Sequence, residues 1–358
     1  MPFFLAQRAF AGVRRGSLDI CPAHAPFPAS VDVFIQQLIN GLTLGSVYAM
    51  VALGYTMVYG IIQLINFAHG EVVMLGAMVA FSVITTLAPS GFPPLAVVLV
   101  GTACAVPLCM AVGYAMERIA YRPLRGAPRL APLITAIGIS IVLQHIAMLV
   151  WSRNNLAFPQ IIRTVSYAVA GATITNVQVA IILTSIVMMG GLALVVYRTK
   201  LGTAMRATAQ NPRIAGLMGI DINRIIAVTF VIGAALGAVA GVMVGTYYGI
   251  AHYTMGSLLG LKAFSAAVLG GIGNIPGAML GGVLLGVVEA LGAGYIGDFT
   301  DLCHIAVTSE WLADRCGPDG HVILFGSNYQ DVFAFLVLIG VLVLRPSGLL
   351  GERVGDRT

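Results

Sequence analysis

Apolar runs of about 20 residues recur along nearly the whole 358-residue chain. As a helix, a run of that length crosses a hydrocarbon core about 30 Å thick. Charge content points the same way. Soluble domains carry about 25% charged residues, whereas this chain has 9%, with 58% hydrophobic residues and a mean hydropathy of +0.94. So few charges cannot cover a surface facing water, so lipid must cover it. A transmembrane β-barrel would show short alternating segments, and this pattern is absent. The expected fold is an all-α, polytopic transmembrane helical bundle of eight to ten helices with broken or re-entrant segments. Spanning or half-spanning segments are read near 33–60, 71–88, 94–116, 131–151, 176–197, 225–248, 256–272, 276–296 and 331–345.

Basic residues orient the segments, because cytoplasmic loops retain Lys and Arg. Arg118, Arg122, Arg125 and Arg129 fall in one loop, and Arg198, Lys200, Arg206, Arg213 and Arg224 in another. Arg345, Arg353 and Arg357 lie in the tail. Against these twelve bases, the alternate loops hold Arg153, Arg163 and Arg315, with six acids over 298–331. Loops 117–130 and 198–224 and the C-terminus are therefore expected to be cytoplasmic, and loops 152–175 and 297–330 external. The net charge of +5 is a topology signal and does not indicate nucleic-acid binding. The expected organisation is a poorly ordered extension over 1–30, a membrane domain over 31–350 and a cytoplasmic tail over 351–358. Counting back places residue 33 outside, while Arg8, Arg14 and Arg15 vote for inside. Asn40, Gly41 and Gly45 are candidate breaks in the long first segment.

Small residues mark how the helices pack. Gly233, Gly237, Gly241 and Gly245 recur at spacing four, as do Ala278, Gly282, Gly286 and Ala290. Such stripes let helix backbones approach closely where no hydrophobic drive exists between them. Cys104 and Cys109 read as small buried hydrophobes. Cys303 and Cys316 lie in the stretch assigned outside, where a disulfide or two free thiols are both open.

No catalytic constellation and no metal-ligand set stands out. "GGIGNIPG" joins two apolar runs, so it reads as a turn and not a dinucleotide loop: Gly270, Gly271, Gly273 and Asn274 permit φ > 0, and Pro276 starts the next helix. Lys200 follows Thr199 and Lys262 follows Leu261, so the chain has no P-loop lysine. If it works as a pump, its motor is another chain. In the longest basic loop, Asn211 caps a short helix, Pro212 suits its first position and Gly219 ends it. That helix fits either a lipid-surface element or a docking element.

Several stretches, "NGLTLGSVYAMVALGYTMVYGIIQLINFAHGEVVMLGAM", "LITAIGIS", "TKLGTAMRATAQNPRIAGLMGIDINRIIAVTFVIGAALGAVAGVM", "GLKAFSAAVLGGIGNIPGAMLGGVLLGVVEALGAGY" and "RPSGLLG", together resemble the LivH-type permeases of branched-chain amino acid ABC importers. The resemblance implies a second, LivM-like permease, two ATPase subunits that bind ATP and Mg, and a periplasmic substrate-binding protein in a bacterial inner membrane. It implies no cofactor in this chain and no nucleic-acid partner. It also implies that loop 198–224, with Arg206, Asn211, Pro212, Ala215 and Gly219, couples to an ATPase. The extension 1–30 and the acidic stretch 298–330 depart from the family pattern.

The polar stretch "NFAHGEVVML" breaks the apolar text at 66–75. Glu71 is expected to open a helix, with Asn66 and His69 satisfying freed backbone groups. A helix start at the membrane face is one reading; a half-helix end lining a translocation path is the other. Lys262 and Glu289 are deeper charges that fit a mutual ion pair or a substrate contact. The function read from all this is an ATP-driven import path for branched-chain or related amino acids, working by alternating access. Import of urea or short amides, and ion-coupled transport through Glu289 and Glu71, are the rivals.

Overall fold

The computed structural model describes residues 31–128, 130–169, 171–299 and 329–351. Among these, seven helices are long and apolar enough to cross a membrane, and two shorter apolar helices join them. The long helices are α1 (Val31–Ile62), α2 (His69–Leu87), α3 (Pro94–Ala115), α4 (Leu130–Val150), α5 (Asn176–Arg198), α8 (Ile222–Tyr248) and α10 (Ile275–Phe299). The shorter ones are α9 (Met255–Gly270) and α11 (Gln330–Leu344); α6 (Lys200–Gln210) and α7 (Pro212–Leu217) lie in the long loop. Each of the nine apolar segments read from the sequence is a helix, which makes the chain a multi-pass membrane protein. The extension 1–30, Cys303, Cys316 and nearly all of the acidic stretch 298–330 lie outside the described residues.

α1 is one continuous helix and does not break at Asn40, Gly41 or Gly45. Those glycines serve contact instead of flexibility. A Cβ added at Gly41 would sit 2.6 Å from Val287 Cα, and one at Gly45 2.7 Å from Val283 Cα, both on α10. From the α10 side, a Cβ at Gly286 would meet the backbone of Gly45 at 2.2 Å. Two helices this close trade side-chain volume for dispersion contact, the usual source of cohesion in lipid. Asn40 is satisfied by Gln36 Nε2 at 3.3 Å and Gln178 Nε2 at 3.1 Å.

The Gly233–Gly245 stripe on α8 faces α1 and α2 less evenly. A Cβ at Gly241 would lie 2.0 Å from the Val73 carbonyl, whereas one at Gly237 would touch His69 and Val73 at an ordinary 3.4 Å. Cys109 is buried, but Cys104 is exposed on the outer side of α3; this corrects the expectation for that residue. Apolar surroundings in lipid place no demand on which side of the helix a small thiol occupies.

Short strands add an element that composition did not show. β2 (Ser166–Val169) pairs antiparallel with β3 (Ala172–Thr175), and β1 (Leu156–Ala157) with β4 (Ile250–Ala251). Gln36 near the start of α1 bonds to Thr173 in the hairpin. The basic loops gather at the opposite end. Arg125 reaches Asn223, and Leu349 N–H donates to the Leu269 carbonyl at 2.9 Å, folding the C-terminal segment against α9. In the α9–α10 turn, only Gly271 (φ 104°) and Gly273 (φ 94°) take positive φ; Gly270 and Asn274 do not. Asn274 instead donates to the Leu350 carbonyl at 2.7 Å.

Candidate functional site

The polar stretch at the start of α2 is the first candidate. α2 starts at His69, two residues before the expected Glu71, with Ala68 as an N-cap that offers no side-chain acceptor. The gap is filled from before the helix: the Asn66 side-chain oxygen accepts from Ala68 N–H at 3.1 Å, and its carbonyl accepts from His69 N–H at 3.0 Å. Tyr121 Oη donates to the same Asn66 oxygen at 2.8 Å. Tyr121 is delivered by a π-helical turn, Met116–Tyr121, that extends α3. Such turns displace side chains from a regular helical register.

This start is buried among the helices: Asn66, His69 and Glu71 are all buried. His69 packs against Gly54, eight residues before the end of α1. At 1.5 Å per residue that is roughly 12 Å along the axis from the end of α1. The His69 side chain does not serve the backbone, contrary to expectation. It is wedged where a Cβ on Gly54 would be 2.1 Å from its Nε2, and that nitrogen is buried without a hydrogen-bond partner. Its ring meets Tyr55 edge-on, with centroids 5.0 Å apart. The glycine at position 54 is thus what admits an imidazole to the core.

Glu71 lies in the first turn of α2, where an acid suits the helix dipole. Its Oε1 accepts from Gln144 Nε2 at 2.7 Å and Ser140 Oγ at 3.0 Å, both on α4, and its Oε2 is buried without a partner. A neutral, hydrogen-bonded cradle holds an acid in the membrane. Ser140 and Gln144 carried no distinguishing signal in the sequence beyond being polar within an apolar run, four residues apart.

A second buried cluster joins four helices. Lys262 Nζ on α9 lies 2.7 Å from Glu289 Oε1 on α10 and 2.6 Å from Asp331 Oδ1 on α11. Tyr48 on α1 donates to Glu289 Oε1 at 3.2 Å, and Lys262 Nζ is 3.4 Å from the Tyr48 hydroxyl. Asp331 is a correction: the sequence placed it with the external acids, but it sits in the first turn of α11 against an intramembrane lysine. Charge pairing across helices, not loop composition, decides its surroundings.

The third region is the loop between α5 and α8. Thr199 caps α6 by accepting from Gly202 N–H at 3.1 Å. Asn211 caps α7 through Arg213 N–H at 3.1 Å and Ile214 N–H at 3.2 Å, Pro212 takes the first helical position, and Gly219 has φ 83°. Ala215 is buried, while Ile214, Leu217 and Met218 are exposed. Arg206 lies over the Tyr197 ring, 5.6 Å from its centroid. Beside this rod is a cavity of about 340 Å³ lined in part by Ile61, Leu124, Arg125, Pro132, Pro212 and Ile226. Arg125 also pairs with Glu117 of the π turn and reaches Asn223 at the start of α8, a link that the sequence reading missed. Burial lowers the pKa of this guanidinium, and Glu117 pulls in the opposite direction. Among the described residues, no group of His, Cys, Asp and Glu is arranged to hold a metal ion.

Comparison with known proteins places these features in a family. The family described as branched-chain amino acid transport system permease component matches residues 37–342. The high-affinity branched-chain amino acid transport system permease protein BraD of Pseudomonas aeruginosa is 46% identical over 324 residues, covering 89% of this chain and 96% of the relative. The corresponding permease LivH of Escherichia coli K12 is 42% identical over 326 residues, with the same coverage. A probable permease LivH of Methanocaldococcus jannaschii is 24% identical over 340 residues, covering 89% of this chain and 94% of its own. No solved structure matches significantly. A matched region running from α1 to α11, with two relatives above 40% identity over nearly their full length, means that the chain belongs to the family of permease components of branched-chain amino acid transport systems.

Proposed function

We propose that this chain is one of two permeases in an ATP-driven importer of branched-chain amino acids in a bacterial inner membrane. The observation that carries the mechanism is the capped rod of α6 and α7. It lies outside the spans, at the end where the basic loops meet, with Ile214, Leu217 and Met218 exposed. An exposed apolar tip on a rod fixed by Asn211, Pro212 and Gly219 suits insertion into a groove of a partner ATPase. That end is cytoplasmic on the positive-inside rule, and so is the C-terminus. ATP and Mg bind to the two ATPases, a LivM-like chain completes the path, and a periplasmic binding protein delivers substrate. The chain itself is non-catalytic.

Closure of the ATPases pushes the rod, and the rod moves α5 and α8, which flank it directly. Arg125 passes the motion on, because it ties Asn223 of α8 to Glu117 of the π turn. The π turn in turn holds Asn66 through Tyr121. A continuous set of contacts thus runs from the rod to the recessed start of α2.

The test is transport and ATP hydrolysis in vesicles holding the complete transporter. Gly219→Val forces a β-branched residue into φ > 0, at a local cost of about 1–2 kcal/mol. Ala215→Glu puts a charge into a buried position. Each should cut leucine uptake per ATP at least tenfold while the ATPases still co-purify. Normal uptake in both variants would reassign the rod to the lipid surface and place the coupling element elsewhere.

A further inference from the structure

The Lys262 cluster has an imbalance that packing does not explain. Among the described residues one ammonium serves two carboxylates, so the fully charged cluster carries one surplus negative charge. Glu289 is held on both its lysine and tyrosine sides and is 1% exposed, and its Oε2 is buried without a hydrogen-bond partner. Asp331 differs: its side chain is 32% exposed, its buried Oδ1 lies within ion-pair distance of Lys262 without an aligned hydrogen bond, and it stands in the first turn of a 15-residue helix. The contact between Lys262 and Asp331 is therefore the one that can open.

We propose that this cluster is an intramembrane station for a zwitterion. The carboxylate of the passing substrate takes the place of Asp331 on Lys262, and its ammonium pairs with the released Asp331. Charges then alternate through Glu289, Lys262, substrate carboxylate, substrate ammonium and Asp331. Each buried charge keeps an opposite neighbour, which a low-dielectric setting demands. Leu258, exposed on α9 one turn before Lys262, offers an apolar surface for the substrate's tail. An uncharged amide can replace neither half of the ion pair, and a simple anion would leave Asp331 unpaired. The station therefore selects by charge form as well as shape. It rests on the reading of this chain as an amino-acid permease and assigns the residues that touch the cargo.

Lys200 and Lys262 are the only lysines in the chain, which makes a direct test practical. The complete transporter, with only this chain carrying 15Nζ-lysine, is placed in lipid nanodiscs with binding protein and leucine labelled with 13C at its carboxyl group. Magnetisation transfer from that carbon to a lysine Nζ is read by solid-state NMR. Transfer to one lysine is expected, unchanged in Lys200→Arg and absent with 13C-acetamide. It should fall at least tenfold in Asp331→Asn and recover in Asp331→Glu. No transfer to Lys262 under conditions where matched vesicles take up leucine would overturn the station. Vesicles that take up no leucine at all would instead overturn the functional reading beneath it. Should Asp331→Asn fail to assemble, the contrast between leucine and acetamide in the unaltered chain still decides.

Discussion

Glu71 and Glu289 are both acids buried inside a membrane bundle, 0% and 1% exposed, and each leaves one oxygen without a partner. They differ in what holds the other oxygen. Glu289 faces a full positive charge and a tyrosine hydroxyl; Glu71 faces only the amide of Gln144 and the hydroxyl of Ser140. The consequence is mechanical as well as electrostatic. The lysine cluster ties α1, α9, α10 and α11 together, and α1 is the most embedded helix, with 83% of its most apolar window buried. Glu71 ties α2 to α4, where the equivalent share is 11%. A charged clamp sits in the packed half and a neutral clamp on the loosely embedded helix, so the two clamps should fail differently.

The largest difference should come from Lys262→Met. It leaves two carboxylates without their cation, and breaking such a pair costs about 3–5 kcal/mol. SDS titration of the purified chain in mixed micelles reads this as an early unfolding midpoint. A loss under about 1 kcal/mol would mean that the acids neutralise by taking up protons, and the contrast with Glu71 would collapse.

Gln144→Leu should have a middle effect. It removes the shorter of two hydrogen bonds to a buried carboxylate, at a cost of about 1–3 kcal/mol. The unfolding midpoint should shift less than in Lys262→Met, and hydrogen exchange should rise mainly in α4. Uniform loosening of the whole chain would show that Glu71 supports more than one peripheral helix.

Glu71→Gln should change stability least, within about 1 kcal/mol in either direction. An amide oxygen still accepts from Gln144 and Ser140, and a buried charge is removed. A loss as large as that of Lys262→Met would show that the Glu71 charge has a partner outside this chain, at a permease interface or on the substrate.

The same pair shows which residues could be read in advance. Nine apolar segments, the turn at "GGIGNIPG" and the capped rod after Asn211 were legible because they depend on local chemistry: segment length, φ preference and capping. Lys262 and Glu289 stood out because charge is rare in hydrocarbon. Their third partner did not, since Asp331 lies in a run of acids where loop composition suggested exposure. The pairings of Ser140, Gln144, Glu117 and Arg125 were invisible for a related reason. Their meaning depends on residues between 8 and 98 positions away, and sequence spacing carries no record of such pairs.

The sequence by itself determined the solvent, the approximate places of nine apolar segments, the sidedness signal and the family. These follow from composition and from the roughly 30 Å thickness of a bilayer core, and need no knowledge of which helix meets which. Tertiary structure alone decided that α2 starts inside the bundle, that glycines in α1 are contacts and not breaks, and that evenly spaced glycines in α8 are unequally tight, since a Cβ would fit at Gly237 and collide at Gly241. The physical reason is that in lipid every helix is apolar on all sides. Periodicity then cannot say which face meets a neighbour, and only the geometry of close approach and buried charge can.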